Sequence, residues 1–178
     1  MKHKFKQEYV SIIPYMEDDG IRTMKDSFIM SLLDRSEKDG TLDALFYGYK
    51  NYKKESLVEK IKSQFNNFFF AVYVGRDIAG FGLIDNIQWG HGYMHFCVFK
   101  EFWGESVDPS VKVYELLGKR FSVLIGILPE DNIFAIGFAE KVAEKIGATR
   151  MGVIPKYFHN EKEDKRVGGV MYYIERKV

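Results

Sequence analysis

The stretch Tyr93-Met-His-Phe-Cys-Val-Phe-Lys-Glu-Phe-Trp-Gly-Glu-Ser106 decides the fold of this chain. Its pattern predicts a β-strand, then a turn that contains Gly104, and then a helix. Backbone N–H groups at a helix start form a ready-made anion site, so this succession indicates a place where a phosphate group can bind. The same turn contains Glu101 and Glu105, and two carboxylates have the wrong charge for that task.

Composition limits the class of protein and of partner. The 178 residues fit one domain, residues 1–178, and 46% hydrophobic residues supply ample material for a core. A net charge of +1 gives no general electrostatic reason to bind nucleic acid or an anionic membrane. Cys97 is the one cysteine, which excludes an intrachain disulfide and fits a reducing compartment. With no signal-peptide pattern and no apolar run long enough to span a membrane, we expect a cytoplasmic protein.

Working outward from the central stretch, the residues before it predict a strand, two helices and a hairpin. The strand covers residues 9–15, and acidic residues place a helix start near residue 18. A second helix is predicted over residues 55–66, with Phe65 in its apolar stripe. Aromatic and β-branched runs around a short glycine turn predict an antiparallel hairpin over residues 68–84.

The residues after the stretch predict a helix, a buried strand, a second helix and two closing strands. Their ranges are 109–120, 121–128, 132–147, 148–158 and 167–177. Asn132 can cap the second of these helices, and Gly147 can end it. The complete order of elements implies an α/β domain with a mixed sheet and helices on both sides.

This order is similar to the fold of the GNAT superfamily of N-acetyltransferases, over essentially the whole chain. Three local motifs resemble those of the family. They are the hairpin Val74-Gly-Arg-Asp-Ile-Ala-Gly-Phe-Gly-Leu83, the strand end Cys97-Val-Phe-Lys-Glu-Phe-Trp-Gly104, and Asn132 with Ala135 and Glu144-Lys-Ile-Gly147 around the last helix. The resemblance implies a twisted mixed sheet of about seven strands, helices on both faces, and transfer of an acetyl group from acetyl-CoA or another acyl-CoA.

The resemblance also implies a set of cofactor-binding residues. These are Cys97, Val98, Phe99, Gly104, Glu105, Ser106 and Asn132. The pyrophosphate turn departs from the family pattern, because Glu101 stands where the family has Gln or Arg. A second departure is Ala143, at the position where many GNAT enzymes have the tyrosine that protonates the leaving thiolate. Catalysis by orientation alone remains open.

Three residues are candidates for binding or deprotonating the acceptor amine. His95 is the candidate catalytic base, because an imidazole titrates near neutral pH; the alternative is a hydrogen-bonded histidine on a half-buried sheet face. Asp85 and Tyr47 are candidate substrate-binding residues, with turn formation and simple packing as the alternatives. Cys97 shares the side of His95 by strand alternation, but a free cysteine in an apolar strand is usually a core residue. The His and Cys residues have no ligand spacing, so no metal site is predicted.

Two functions follow from these observations. The first is an acyl-CoA-dependent N-acetyltransferase that acts on a small-molecule or peptide amine, as a monomer or homodimer. The second is a catalytically inactive GNAT-like binding or structural protein, for which a phage or mobile-element origin would suit the compact, aromatic-rich and Lys-rich chain. The resemblance predicts that the strands carrying Cys97 and Leu124 splay apart, and two strands paired along their full length would contradict it.

Overall fold

The computed structural model describes residues 9–45, 47 and 53–175, and contains the predicted order of elements. The strands are β1 Val10–Pro14, β2 Glu17–Asp18, β3 Ile21–Arg22, β4 Phe68–Val74, β5 Asp77–Gln88, β6 His91–Val98, β7 Val123–Pro129, β8 Thr149–Asn160 and β9 Lys165–Glu175. The helices are α1 Asp26–Lys38, α2 Leu42–Leu45, α3 Lys54–Ser63, α4 Val107–Leu117 and α5 Ile133–Ile146, and a 3₁₀ helix covers Lys100–Glu105.

Seven strands form one mixed sheet in the order β1-β4-β5-β6-β7-β9-β8. Every neighbouring pair is antiparallel except β6 and β7, which are parallel because α4 crosses over between them. Within the described residues, the small strands β2 and β3 form a separate two-stranded sheet. The predicted α/β class and the seven-stranded mixed sheet are therefore confirmed.

Two glycines of β5 allow the central strands to approach closely. A Cβ atom on Gly80 would lie 2.0 Å from the Cys97 carbonyl oxygen, and one on Gly82 would lie 2.2 Å from the Phe70 ring. Neither contact is possible for a real side chain, so both positions require glycine. The Ala-Gly-Phe-Gly sequence of the hairpin thus fixes how β4, β5 and β6 pack.

Side chains of β6 alternate between two faces of the sheet, and helices lie on both. The Cys97 thiol contacts the Thr41 hydroxyl between α1 and α2, at 3.3 Å. Phe96 and Val98 point to the opposite face and line a small cavity with residues of α4. We call these the α1 face and the α4 face. His95 shares the α1 face with Cys97.

Two sequence predictions about the N-terminal half were wrong. The helix predicted from residue 18 begins at Asp26, because Glu17–Arg22 form a hairpin around Asp19 and Gly20, which both have positive φ. The helix predicted to end at residue 66 ends at Ser63, because Gln64 adopts the left-handed conformation. Phe65 consequently leaves the apolar stripe and is 77% exposed.

Candidate active site

The two parallel strands β6 and β7 diverge along their length. Three residue pairs join them, His91 with Val123, Gly92 with Leu124 and Tyr93 with Ile125. The rest of β6 as far as Val98 has no partner in β7, although β7 continues to Pro129 and pairs with β9 throughout. The pairing of the two strands therefore ends after Tyr93 and Ile125, as expected for the splay that the resemblance predicted, and we call the gap beyond these residues the slot.

The backbone of Val98 faces this slot. Cys97 pairs with Phe81 of β5, and the Phe99 N–H donates to the Ala79 carbonyl at 2.9 Å. Because backbone groups alternate along a strand, those of Val98 point away from β5 and into the slot. Of the three strand residues implied in cofactor binding, Cys97 and Phe99 therefore present their backbone to β5, and Val98 presents its backbone to the slot.

Gly126 leaves room for a ligand on the β7 side of the slot. It lies two residues after Leu124 and shares the α4 face with Phe96 and Val98. A Cβ atom added to Gly126 would have no heavy atom within 4 Å, and the same is true of Gly137 in α5. The slot thus has on one wall a backbone without a ladder partner in β7 and on the other wall open space, and both fit an extended chain that contains amide groups.

The turn after β6 leads to the start of α4. The Lys100 N–H donates to the Asp39 carboxylate at 2.9 Å, and the Ser106 hydroxyl donates to the Trp103 carbonyl at 3.0 Å. The Ser106 side chain makes no capping hydrogen bond to α4, and an α-helix supplies no acceptor for the N–H groups of its own first turn. A Cβ atom on Gly104 would meet nothing within 4 Å, so the backbone there is open to approach. These features fit a diphosphate.

Cations from distant parts of the chain partly compensate the acidic side chains at this turn. Arg35 of α1 forms a salt bridge with Glu101, and its guanidinium lies 4.0 Å from the centre of the Phe99 ring. Lys145 of α5 lies 2.7 Å from the Asp108 carboxylate in the first turn of α4. Glu105 is exposed within the turn. The sequence did not predict that Arg35 and Lys145 contact these carboxylates, because no local pattern connects residues so far apart.

Asp85 and His95 form a hydrogen-bonded pair on the α1 face. Nε2 of His95 lies 3.2 Å from Asp85 Oδ1, and Nζ of Lys60 lies 2.7 Å from Asp85 Oδ2. Burial acts to raise the pKa of Asp85, but the hydrogen bonds from His95 and Lys60 outweigh burial and lower the pKa to about 2. Asp85 is therefore ionised at neutral pH and can only accept, so Nε2 of His95 carries the proton.

Cys97 has the properties of a core residue. Burial raises the pKa of its thiol to about 11, and its hydrogen bond to Thr41 only partly opposes that rise. A thiol that remains protonated at neutral pH is a poor nucleophile. The described residues contain no group of His, Cys, Asp and Glu side chains that could hold a metal ion.

Tyr47 and Asn132 lie around the far end of β7. The Tyr47 hydroxyl donates to Asp131 at 2.5 Å, and its ring packs edge-on against Phe158. Burial and the Asp131 carboxylate raise the pKa of Tyr47. The Asn132 side chain accepts the Ala135 N–H at 3.1 Å and so caps α5, as predicted. Its carbonyl oxygen is engaged, which leaves the amide N–H₂ group as the part that could meet a ligand.

Comparison with known proteins gives matches at the level of structure only. No family model and no curated protein matches the sequence. The spermidine N-acetyltransferase of Vibrio cholerae, solved with CoA and spermine, superposes with a TM-score of 0.65 at 11% identity, over 93% of this chain and 95% of that one. This chain has the GNAT fold.

Two further GNAT-fold structures support that assignment. The ribosomal-protein-S5-alanine acetyltransferase of Vibrio fischeri has a TM-score of 0.64 at 12% identity, over 90% of this chain and 96% of that one. The microcin C7 self-immunity acetyltransferase, solved with acetyl-CoA and AMP, has a TM-score of 0.66 at 12% identity, over 95% and 93%. In the described part of this GNAT-fold chain, no helix is long and apolar enough to span a membrane.

Proposed function

We propose that this GNAT-fold chain is an acyl-CoA-dependent N-acetyltransferase that acetylates an amine. The observation that carries the proposal is the slot between β6 and β7, because proteins rarely leave backbone N–H and C=O groups of a central sheet without ladder partners. A ligand that is extended, carries amides and ends in a diphosphate would match the slot and the α4 start in one binding mode. Acetyl-CoA has this chemistry and supplies an activated acyl group as its thioester.

Each wall of the site has a defined role in this proposal. The Val98 backbone would pair with a ligand amide, Gly126 would leave space for the chain, and the N–H groups at Gly104 to Ser106 and the first turn of α4 would hold the phosphates. Lys145 and Arg35 would lower the repulsion between the turn's carboxylates and a diphosphate.

His95 would act as the base for the acceptor amine. Its Nε2–H is held by Asp85, so its second nitrogen, Nδ1, has the lone pair that can accept a proton. His95 lies on the α1 face, and Gly126 lies on the α4 face. In this proposal the acceptor amine would approach from the α1 face, the acyl donor would lie along the α4 face, and the two would meet at the slot. Asp85 is thereby a positioning residue for His95 in this proposal and does not contact the substrate.

The acceptor is an amine, and the solved neighbours suggest which amines to test first. Their names refer to spermidine and to a ribosomal-protein alanine. We therefore propose a screen with a polyamine, a peptide with N-terminal alanine, and a simple primary amine. Tyr47 remains a candidate for the edge of the acceptor cleft, because it packs in an aromatic cluster with Phe158 and Tyr157.

A second candidate function is a GNAT-fold binding module without catalysis. Ala143 supplies no proton donor, and Glu105 lies in the turn where the phosphates would bind. Both observations favour a protein that has kept the scaffold and lost the chemistry.

Two measurements test the proposal and separate the two functions. A ligand at 100 times its Kd stabilises the folded state by about 2.7 kcal/mol, so millimolar acetyl-CoA should raise the melting temperature by several degrees. Thiol release with the three amines then measures transfer, with His95→Gln as the matched variant, which should bind acetyl-CoA normally and transfer at least about tenfold more slowly. Binding without transfer would favour the binding module. An unchanged melting curve would rule out both a CoA enzyme and a CoA-binding module.

A further inference from the structure

The carbonyl that Val98 directs into the slot is already hydrogen-bonded. The indole Nε1–H of Trp103 donates to it at 2.9 Å. Trp103 belongs to the turn that follows the strand, so the chain folds back on itself and contacts its own open strand edge. An exposed carbonyl at a strand edge is a favourable acceptor for any amide N–H. In this structure the indole N–H of Trp103 is the donor to the Val98 carbonyl.

Trp103 can leave this position without disturbing the core. Its side chain is 53% exposed, whereas the neighbouring Phe102 and Phe99 are buried. The Ser106 hydroxyl holds the backbone carbonyl of Trp103, not the indole, so the turn retains that contact when the side chain rotates. The contact between the indole and Val98 is therefore a single neutral hydrogen bond, which makes a small net contribution to stability.

We propose that Trp103 is a gate residue of the cofactor site, whose indole N–H occupies the Val98 carbonyl and must release it before a pantetheine amide of CoA can bind there. The inference rests on the proposed use of CoA. Only the fraction of molecules with the carbonyl released is competent to bind, and the measured Kd rises in inverse proportion to that fraction. A ligand that lacks pantetheine does not compete with the indole and is insensitive to the gate.

Trp103→Phe tests the gate, because it keeps an aromatic ring in the turn and removes the N–H. Calorimetry with CoA should give a Kd about 3- to 10-fold lower than for the wild type, the range expected for one neutral hydrogen bond. Adenosine 3′,5′-bisphosphate, which has the phosphates and adenine of CoA but no pantetheine, should bind both proteins equally. Trp89→Phe is the matched control, since Trp89 is 94% exposed at the β5–β6 turn, and it should change neither Kd.

The Trp89→Phe variant adds a second measurement, because Trp103 is then the sole tryptophan. Saturating CoA should change its fluorescence emission. An equal or higher Kd of Trp103→Phe for CoA would overturn the gate and leave the proposed function intact. An equal gain in the affinity of Trp103→Phe for CoA and for adenosine 3′,5′-bisphosphate would also overturn the gate, because such a gain would indicate a loosened turn. If neither the wild type nor Trp103→Phe binds CoA, the proposed function fails and the gate fails with it.

Discussion

At the scale of single residues, Asp85 combines burial with two hydrogen-bond donors. Its side chain is 13% exposed and contacts His95 and Lys60. An isolated carboxylate in such a place would be costly, so the two donors are what allow it to remain ionised. The same contacts fix which nitrogen of His95 carries the proton. The orientation of the proposed base thus depends on a residue that the sequence suggested only as a substrate contact.

Asp85 should make the protein's stability depend on pH in the acid range. Its folded-state pKa of about 2 lies below the ordinary aspartate value of 3.8, so its contribution to stability is fully present above pH 4–5 and is lost as the pH falls towards 2. Two units of pKa correspond to about 2–3 kcal/mol. Between pH 5 and pH 2, the free energy of unfolding of the wild type should fall by roughly that amount more than that of Asp85→Asn, measured by urea titration.

A second His–Asp pair provides the control for this experiment. Nε2 of His159 lies 3.1 Å from Asp164 Oδ1, but the Asp164 side chain is 92% exposed. Asp164→Asn should retain the acid dependence of the wild type, because exposed pairs contribute little. Identical curves for the wild type and Asp85→Asn would show that the hydrogen bonds from His95 and Lys60 do not lower the pKa of Asp85.

Cys97 should be unreactive in the folded protein. Its thiol is buried and its pKa is raised to about 11, so both access and thiolate concentration are low at pH 8. We expect a disulfide-exchange reagent to label the native protein at least about 100-fold more slowly than the urea-unfolded protein. The chain has one cysteine, so the signal has one source. Rapid labelling of the native protein would restore Cys97 as a candidate nucleophile.

At the scale of elements, the decisive feature is how β6 and β7 separate. Their pairing stops after Tyr93 and Ile125, whereas β5–β6 and β7–β9 continue. The strands on each side of the slot thus remain fully paired with one another, and only the pairing between β6 and β7 is incomplete. Gly126 is needed neither for a turn nor for close packing, because its φ is not positive and its Cβ position is open. We therefore expect the open space beside Gly126 to accommodate the chain of the proposed cofactor.

Gly126→Val should separate stability from binding. Valine suits a strand, and replacing a strand glycine removes a penalty of about 0.5–1 kcal/mol, so the free energy of unfolding should stay equal or increase. The added side chain would fill the slot, so the Kd for CoA should increase more than about tenfold, a change of about 1.4 kcal/mol. Urea unfolding and calorimetry measure the two effects.

Thr149→Val, at the start of the outer strand β8, is the control for that variant. It replaces the Thr149 hydroxyl by a methyl group, two strands away from β7, and should leave CoA binding unchanged. If Gly126→Val binds CoA as well as the wild type does, the cofactor does not pass Gly126.

At the scale of the whole molecule, stability is concentrated in the aromatic core between α1 and the strands β4–β6. The Phe81 ring lies 5.7 Å from that of Phe69 and 6.3 Å from that of Phe99, measured between ring centres. The half that contains β8 is more open, and Met151, Val153 and Ile154 on it are exposed. The part of the molecule that forms one wall of the slot is therefore built on a well-packed core.

Phe81→Ala should destabilise the whole molecule. Phe81 is 1% exposed, and truncation of a buried phenylalanine costs about 3–5 kcal/mol. That is a large part of the roughly 5–15 kcal/mol that a domain has, so the urea midpoint should fall steeply. Phe65→Ala should change the free energy of unfolding by no more than about 0.5 kcal/mol, because Phe65 is exposed. A large loss in Phe65→Ala would contradict the observed end of α3.

The sequence by itself determined the features that depend on neighbours along the chain. Aromatic and β-branched runs around a short glycine turn predicted the β4–β5 hairpin, and Asn132 and Gly147 predicted the two ends of α5, because caps and turns involve residues within a few positions of one another. Short-range patterns failed at Asp19 and Phe65, where a hairpin and a left-handed residue interrupted a plausible helical period.

Tertiary structure alone decided the contacts that make the candidate site. The slot between β6 and β7, the Arg35–Glu101 salt bridge and the Lys60–Asp85 contact join parts of the chain that are separated by 25 residues or more. No periodicity records which side chains meet across such distances, because the meeting is set by the packing of the sheet and helices. The sequence shows which residues of the turn are charged, but only the tertiary structure shows which side chains contact them.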